Sequence, residues 1–581
     1  MRRRPRPTRT LGAAPRRLFG GYGPLLAMAV AFLLIVTLVP TIARQVTVVA
    51  QSAQAGEQVA GAGPAAQAPA AAGQAAAVAA GKPVAGSKAQ LPVAPAAAAA
   101  GPCADRTVQV IGDPYSPPCI AWPAGKDNGG ATTNGVTKDT IKISFRLPVE
   151  DISDFQSVIR QLAGDKADKI PTATAADFKR TVQDFATYFQ RNFQTYGRKI
   201  ELVEWKGKGS VFNEFVGAGQ EAAQADAIKA AKELKVFGDI SAFTQPYNDA
   251  LARQGVMAIG APYLSRQWFA AHAPYSWSPF PDCTSLAETV AEYLNKRVFA
   301  YPATHAGPGL VGKPRKVGII TPDNPEYQQC LNAGMKIVNA AGNKAVRYSY
   351  TLDLAQFSDQ ANNIAAKLKQ DGITTVVLLT DPLFPLLVSS RMSQQQYFPE
   401  WLVTGTVLTD SDEFGQLYDT EQWKHAFGLS ELGEEQPQGA SFAYAAAKSV
   451  DPSHEPVFGS DFFYNFMYQL AIGIQMAGPN LTPQTFAAGM RAYPGGTGPS
   501  GTWGYPAGAY SPNRDAREIW WDPNATSVVN GAPGRYVSTN KRYKPGQWPA
   551  GPAAPQQGQA PPTGAATPPD QRTTRARAAV P

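Results

Sequence analysis

The stretch GPGLVGKPRKVGIITPD, Gly307 to Asp323, holds two nucleotide-binding patterns and a strand, and their order decides the fold. Gly307, Gly309 and Gly312 satisfy GxGxxG, and Gly307 to Lys313 satisfies all but the last position of GxxxxGK[ST]. Both patterns grip phosphate only when the glycines follow a strand and open a helix, because the anion rests on free N–H groups at the helix start. Here the glycines come first and the apolar run Val317 to Ile320 follows. Pro314 also stands where the magnesium-binding Ser or Thr belongs. The stretch therefore reads as a connection feeding a buried strand, not as a phosphate loop.

Outward from that strand the pattern alternates. After KVGIITPD come helix PEYQQCLNAGMKIVNAAG, strand AVRYSYTL, helix FSDQANNIAAKLKQDG, strand TTVVLLTD, helix PLFPLLVSSRMSQQQ and strand EWLVTGTV, which ends at Val407. Upstream lies a similar series: strand IKISFRLPV from Ile141, a helix with Phe178, Val182, Phe185 and Phe189 on one face and Asp177 as expected N-cap, strand KIELVEWK, helix GQEAAQADAIKAAKELK, strand VFGDIS, helix PYNDALARQG and strand VMAIGAP. Two such runs imply βαβ units and two parallel sheets, an α/β protein of two Rossmann-like lobes joined by a hinge. The aromatic, Pro-rich APYLSRQWFAAHAPYSWSPFP separates them, and Asp282 caps the next helix. Helix DFFYNFMYQLAIGIQMAG and strand AREIWWDP, after residue 408, have no third sheet of their own and are expected to return to the first lobe. The expected division is residues 136–265 with 408–548 for lobe 1 and 266–407 for lobe 2.

The ends differ in composition. The net charge is +8, but seven arginines lie before residue 18, and Arg572, Arg575 and Arg577 lie near the end, so the middle of the chain is close to neutral. No basic stripe with interleaved aromatics is present there, which argues against nucleic-acid binding. After a basic segment, 1–20, the stretch 21–43 is uncharged and long enough to cross a bilayer as one helix. The arginines before it place the N-terminus in the cytoplasm and the rest outside the cell membrane. A cleaved signal peptide with Ala53-Gln54-Ala55 as its site is the competing reading, which would leave the protein secreted; the length of the apolar run favours an anchor. Residues 51–102 are almost wholly Ala, Gly, Pro, Gln and Val, a disordered linker, and 549–581 reads as a second such tail.

Four cysteines fit an oxidising compartment. Cys103 and Cys119 bracket a short Pro-rich segment within 103–135 that a disulfide would staple. No CxxC or HxxxH spacing occurs and the four histidines are scattered, so neither metal nor cofactor is expected. The absence of GxSxG, HExxH or a suggestive Cys-His pair argues against an enzyme.

GVTKDTIKIS, the two lobes, FMYQLAIGIQMAGPNLTPQTFAAGM and DAREIWWDPN together resemble the type I periplasmic-binding-protein family, in the branched-chain amino-acid-type solute-binding form of ABC importers found in actinobacteria. The resemblance implies a receptor that captures a small polar, amino-acid-like ligand between its lobes and delivers it to permease subunits. A membrane-anchored sensor or scaffold is the alternative. Ligands of open α/β sheets sit beyond the carboxyl ends of the strands. The family's use of those loops implies Ser241, Ala242, Thr244 and Gln245 after one strand, and Tyr263, Leu264 and Ser265 after the next. The second lobe would add Asp323 and Tyr327, Thr380 and Asp381, and Thr406. Each hydroxyl or carboxylate among them has an alternative reading as a helix cap. Cys283 and Cys330 open helices expected at the same edge of the second sheet, so a Cys283–Cys330 bridge is expected beside Cys103–Cys119; two inert buried thiols are the alternative. The long segment 150–176 and the LLTDP turn depart from amino-acid binders and leave the ligand open.

Overall fold

The computed structural model describes residues 106–150, 174–215, 218–261, 263–457 and 459–553, together with Cys103, Asp154 and Arg160. The apolar stretch 21–43, the linker 51–102 and the tail beyond 553 lie outside the described residues. Among those residues no helix is long and apolar enough to cross a membrane.

The first sheet holds β1 (Thr140–Leu147), β2 (Lys199–Lys206), β3 (Gly238–Ala242), β4 (Met257–Gly260) and β5 (Ser276–Trp277), in the order β2-β1-β3-β4-β5. Every pair is parallel. Strands β3 and β4 are buried along their whole length, as a parallel sheet covered on both faces requires, whereas the edge strand β2 alternates with exposed residues.

The second sheet repeats the arrangement. Strands β6 (Val317–Pro322), β7 (Ala345–Tyr350), β8 (Thr375–Leu378), β9 (Glu400–Val403) and β10 (Ala426–Ser430) lie parallel in the order β7-β6-β8-β9-β10. Strand for strand this is the topology of the first sheet, with the order reversing between the first and third strands of each. A separate two-stranded hairpin pairs β11 (Gly496–Gly498) with β12 (Gly501–Trp503).

The C-terminal segment is divided between the lobes, which corrects the expected boundaries. Strands β13 (Ala516–Thr526) and β14 (Pro533–Tyr543) form an antiparallel hairpin whose first strand pairs with β10, so 426–430 and 516–543 belong to the second sheet. Without them β10 would present an unpaired edge. Glu518 of β13 also accepts hydrogen bonds from Tyr293 (2.6 Å) and Arg297 (2.9 Å), which locks the hairpin to the second lobe. Conversely β5 belongs to the first sheet although it lies beyond residue 265. The helix Asp461–Ala477 covers the first lobe through aromatic contacts, Phe178 to Phe463 at 4.8 Å and Phe185 to Tyr464 at 5.6 Å between ring centroids. The helix Pro483–Ala492 packs closely on it: a Cβ at Gly473 would fall 2.1 Å from the Phe486 ring.

Two smaller corrections concern termini. The helix Ala175–Asn192 is capped by Thr174, with Asp177 completing a capping box from inside the first turn. The expected tail starts later than residue 549, since Ala553 is buried and its N–H donates to Arg297 O at 3.1 Å.

The Gly307 stretch is a loop that enters β6, and no helix opens on it. Gly309 and Gly312 take positive φ, while a Cβ at Gly307 would lie 2.5 Å from the Phe398 Cβ. Arg315 does not face a phosphate site: it forks onto Glu400 at 2.8 and 2.9 Å, with both side chains buried. The glycines serve turning and close packing. Cys103–Cys119 and Cys283–Cys330 are both bonded, each with Cα atoms 5.6 Å apart.

Candidate functional site

The loops beyond the strand ends of the two sheets meet. Gln245, after β3, donates to Glu326, after β6, at 3.4 Å, and Gln329 donates to Gln267 at 2.7 Å. Tyr263, after β4 and at positive φ, is buried near Leu408 and Asp410 of the segment after β9, and burial followed by the Asp410 charge raises its pKa well above the usual value. The walls named in the sequence reading thus contact each other.

Several of the expected site residues are occupied within their own lobe. Buried Arg146, at the end of β1, forks onto Glu214 with two bonds of 2.7 Å and reaches Asp226 at 3.1 Å. Burial opposes its charge, yet the Glu214 carboxylate beside it holds its pKa above the ordinary value. Thr244 donates to the same Glu214 at 2.5 Å. Ser241 accepts the Arg146 N–H at 2.8 Å and donates to Asp239 at 2.7 Å, and Ala242 is buried as the last residue of β3. Ser265 caps the helix Arg266–Ala271 by accepting the Trp268 N–H at 3.0 Å, and the Leu264 carbonyl accepts the Cys283 N–H at 3.1 Å. These are the capping and framework roles that the same residue types carry in any α/β fold.

In the second lobe Asp323 is exposed and accepts from Thr351 at 2.9 Å. Tyr327 is half-buried, its pKa raised by burial and then by Asp381. Asp381 accepts N–H bonds from Leu383 (2.8 Å) and Phe384 (3.0 Å) and a short bond from the Tyr350 hydroxyl; burial outweighs these and pushes its pKa up to about 6. Thr406 bonds to the Thr404 hydroxyl at 2.7 Å. Thr380 is fully buried, and its hydroxyl has no partner among the described residues.

Beside this contact lies a cavity of about 270 Å³ that none of those twelve residues lines. One wall is Leu408, Ser411 and Glu413 after β9 and Leu432 to Gln436 after β10; the other is the start of the helix Asp461–Ala477 on the first lobe. Tyr115 and Trp503 close it, with ring centroids 4.2 Å apart. Asp113, Glu413, Glu434, Glu435 and Asp461 bring five carboxylates to it, and no Lys, Arg or His is among the described residues that line it.

These carboxylates are unequally compensated. Asp113 accepts the Tyr115 N–H (2.9 Å) and the Tyr468 hydroxyl (2.7 Å), and Glu434 meets Arg535 at 3.4 Å. Glu435 accepts the Asp412 N–H at 2.9 Å through one oxygen, while its other oxygen is unpartnered. Burial and the charge of Asp412 push its pKa far up. Glu413 is 5% exposed and neither oxygen has a partner in hydrogen-bond geometry, although the unpartnered Ser411 hydroxyl is close. Burial first, and then Asp412, raise the Glu413 pKa to about 7. In the same segment Asp410 is 4% exposed with both oxygens unpartnered; burial raises its pKa against the nearby Ser430 hydroxyl and Arg517. Buried carboxylates without partners are costly, and a folded chain retains them where something else supplies the missing interaction.

Residues 408–413 and 432–436 were not singled out from sequence. Their one visible sign is the density of acidic residues in TDSDEF and SELGEEQ, which reads equally as a solvated surface.

No protein-family model and no curated protein matches the chain in sequence. Solved structures do. The chain resembles solute-binding proteins of ABC transporters. One, from R. palustris in complex with 4-hydroxybenzoate, is 13% identical and matches 70% of this chain and 98% of its own, with a TM-score of 0.49. A fatty acid ABC transporter substrate-binding protein from Thermomonospora curvata is 12% identical over 72% of this chain and 95% of its own, with a TM-score of 0.47. A branched-chain amino acid transporter substrate-binding protein from Streptococcus pneumoniae, in complex with isoleucine, is 13% identical over 69% of this chain and all of its own, with a TM-score of 0.44. All three are described as solute-binding or substrate-binding proteins.

Proposed function

We propose that this protein is an extracytoplasmic solute receptor that holds a small molecule in the cavity between its lobes and passes it to ABC permease subunits. The observation that carries the reading is a cavity with walls from both lobes that contains buried, unpartnered polar groups. Two sheets of the same strand order, meeting at the loops beyond their strand ends, suit closure about a hinge, because the chain passes between them after β5, after β10 and before β13. Nothing in such a device needs a nucleophile.

The segment 21–43 would hold the receptor at the outer face of the cell membrane and 51–102 would give it reach. An amino-acid-like ligand fits this reading through its ammonium group, since carboxylates line the cavity. Ser241, Thr244 and Ser265 are better assigned to the framework of the first lobe.

Native mass spectrometry of the purified full-length protein is expected to find a non-covalently bound small molecule, and deletion of the gene is expected to abolish uptake of that molecule. Unchanged uptake with a bound molecule present would favour the sensor alternative. A protein that neither carries a small molecule nor gains thermal stability from any metabolite tested would end the reading.

A further inference from the structure

We propose that the cavity selects an organic cation: an ammonium group held by the Glu413 carboxylate and faced by the rings of Tyr115, Trp503 and Tyr468. This rests on the reading of the cavity as the solute site and adds the chemical class of the solute.

The first argument is charge. Five carboxylates line the space and no basic side chain is among the described residues that do. The guanidinium groups nearby engage other partners through their terminal nitrogens, although the Nε of Arg517 and of Arg535 has none among the described residues. Arg535 reaches Glu434, Arg517 donates to the Gly433 carbonyl at 2.8 Å, and Arg542 bonds Asp515 at 2.7 Å and the Leu432 carbonyl at 2.8 Å. A ligand with a net negative charge would meet repulsion with no cation to receive it.

The second argument is the unfilled bonding capacity of Glu413. Its two oxygens are buried at the wall, and among the described residues only the Ser411 hydroxyl is close, outside hydrogen-bond geometry, so Glu413 lacks a well-placed donor and a counter-charge together. A bound ammonium supplies both at one position. Water alone would satisfy the bonds but leave the repulsion from Asp412, which lies close enough to act on Glu413.

The third argument is the aromatic surface. Tyr115 stacks on Trp503, and Trp503 lies 6.1 Å from Tyr468, so three adjacent rings border the space. The faces of such rings attract cations, most strongly where water is excluded. A metal ion is a poorer occupant, because among the described residues no group of three or more His, Cys, Asp or Glu is placed to hold one.

The test is calorimetric titration of the full-length protein with choline and putrescine, beside 3,3-dimethylbutan-1-ol as the uncharged analogue of choline, leucine and 4-hydroxybenzoate. At least one cation is expected to bind, with the uncharged analogue roughly tenfold or more weaker. Glu413→Gln is expected to weaken the cation by about tenfold or more while the protein stays folded by circular dichroism. Trp503→Leu is expected to weaken it independently. Binding of leucine or 4-hydroxybenzoate in preference to both cations would overturn this inference and leave the solute-receptor reading standing. Cation binding undiminished in both variants would overturn the assignment to this cavity. Failure of both cations to bind would overturn the inference, while the solute-receptor reading would still stand or fall by the mass-spectrometry and uptake experiments.

Discussion

Arg146 and Glu413 are both buried charges, one in each lobe, and they are opposites. Around Arg146 every strong group is used: its guanidinium is shared by Glu214 and Asp226, Thr244 donates to Glu214, and the Lys208 and Gly209 N–H groups donate to Asp226 at 2.8 Å. Around Glu413 no described residue completes a hydrogen bond to either oxygen, and only the Ser411 hydroxyl is close. The first arrangement is complete without a ligand and reads as framework. The second is incomplete, and on the function proposed above its incompleteness marks the site.

The largest test of that contrast is Arg146→Met, which leaves Glu214 and Asp226 buried without their cation. A loss of about 3–5 kcal/mol is expected in denaturant unfolding. Loss below 1 kcal/mol would mean that the network is not the framework described.

Glu413→Gln should act with the opposite sign. Removing an uncompensated buried charge is expected to stabilise the ligand-free protein by roughly 1–3 kcal/mol in the same assay. Destabilisation would show that Glu413 is paired after all.

The pH dependence sharpens the comparison further. Glu413 and Glu431 have folded-state pKa values of about 7 and about 8, both raised above 4.5 chiefly by burial, and Asp381 sits at about 6 against 3.8. Between the unfolded and folded values the folded state holds protons that the unfolded state has released, so stability falls as pH rises through that window. His272, raised above 6.5 by Asp249 against its burial, adds stability that is also lost as pH rises, while buried His425, lowered, opposes the trend. The melting temperature is therefore expected to fall between pH 5 and pH 8, less so in Glu413→Gln. Cation affinity should rise over the same range, because Glu413 must ionise to receive the ammonium.

The smallest effect is expected from Ser241→Ala. It removes hydrogen bonds within the first lobe, at about 1 kcal/mol, and leaves ligand affinity unchanged. A large drop in affinity would return Ser241 to the site.

Much of the fold is legible in the sequence for a local reason. TVVL is an apolar run, IKISF alternates and GDISA is short and mixed, but each has strand length and lies between helices with one apolar face, so both sheets are readable from the alternation of elements. The two disulfides also follow, since helix order brings Cys283 and Cys330 to the same edge. What was not readable is the sheet that AREIWW joins. Its apolar run says only that both faces are covered, while the choice of lobe rests on the free edge of β10 and on Glu518 meeting Arg297. Strand-end residues are ambiguous on similar grounds: a Ser or Thr there is the same letter whether it bonds a ligand or, as Ser241 does, Asp239.

The sequence by itself determined an α/β chain of two repeated lobes in which the Gly307 stretch feeds a strand, because periodicity and the order of glycine and strand are local properties. Only the tertiary structure decided which buried charges are paired. Glu214 finds Arg146 from 68 residues away while Glu413 finds no counter-charge among the described residues, and that difference arises from long-range packing that no spacing of residues encodes.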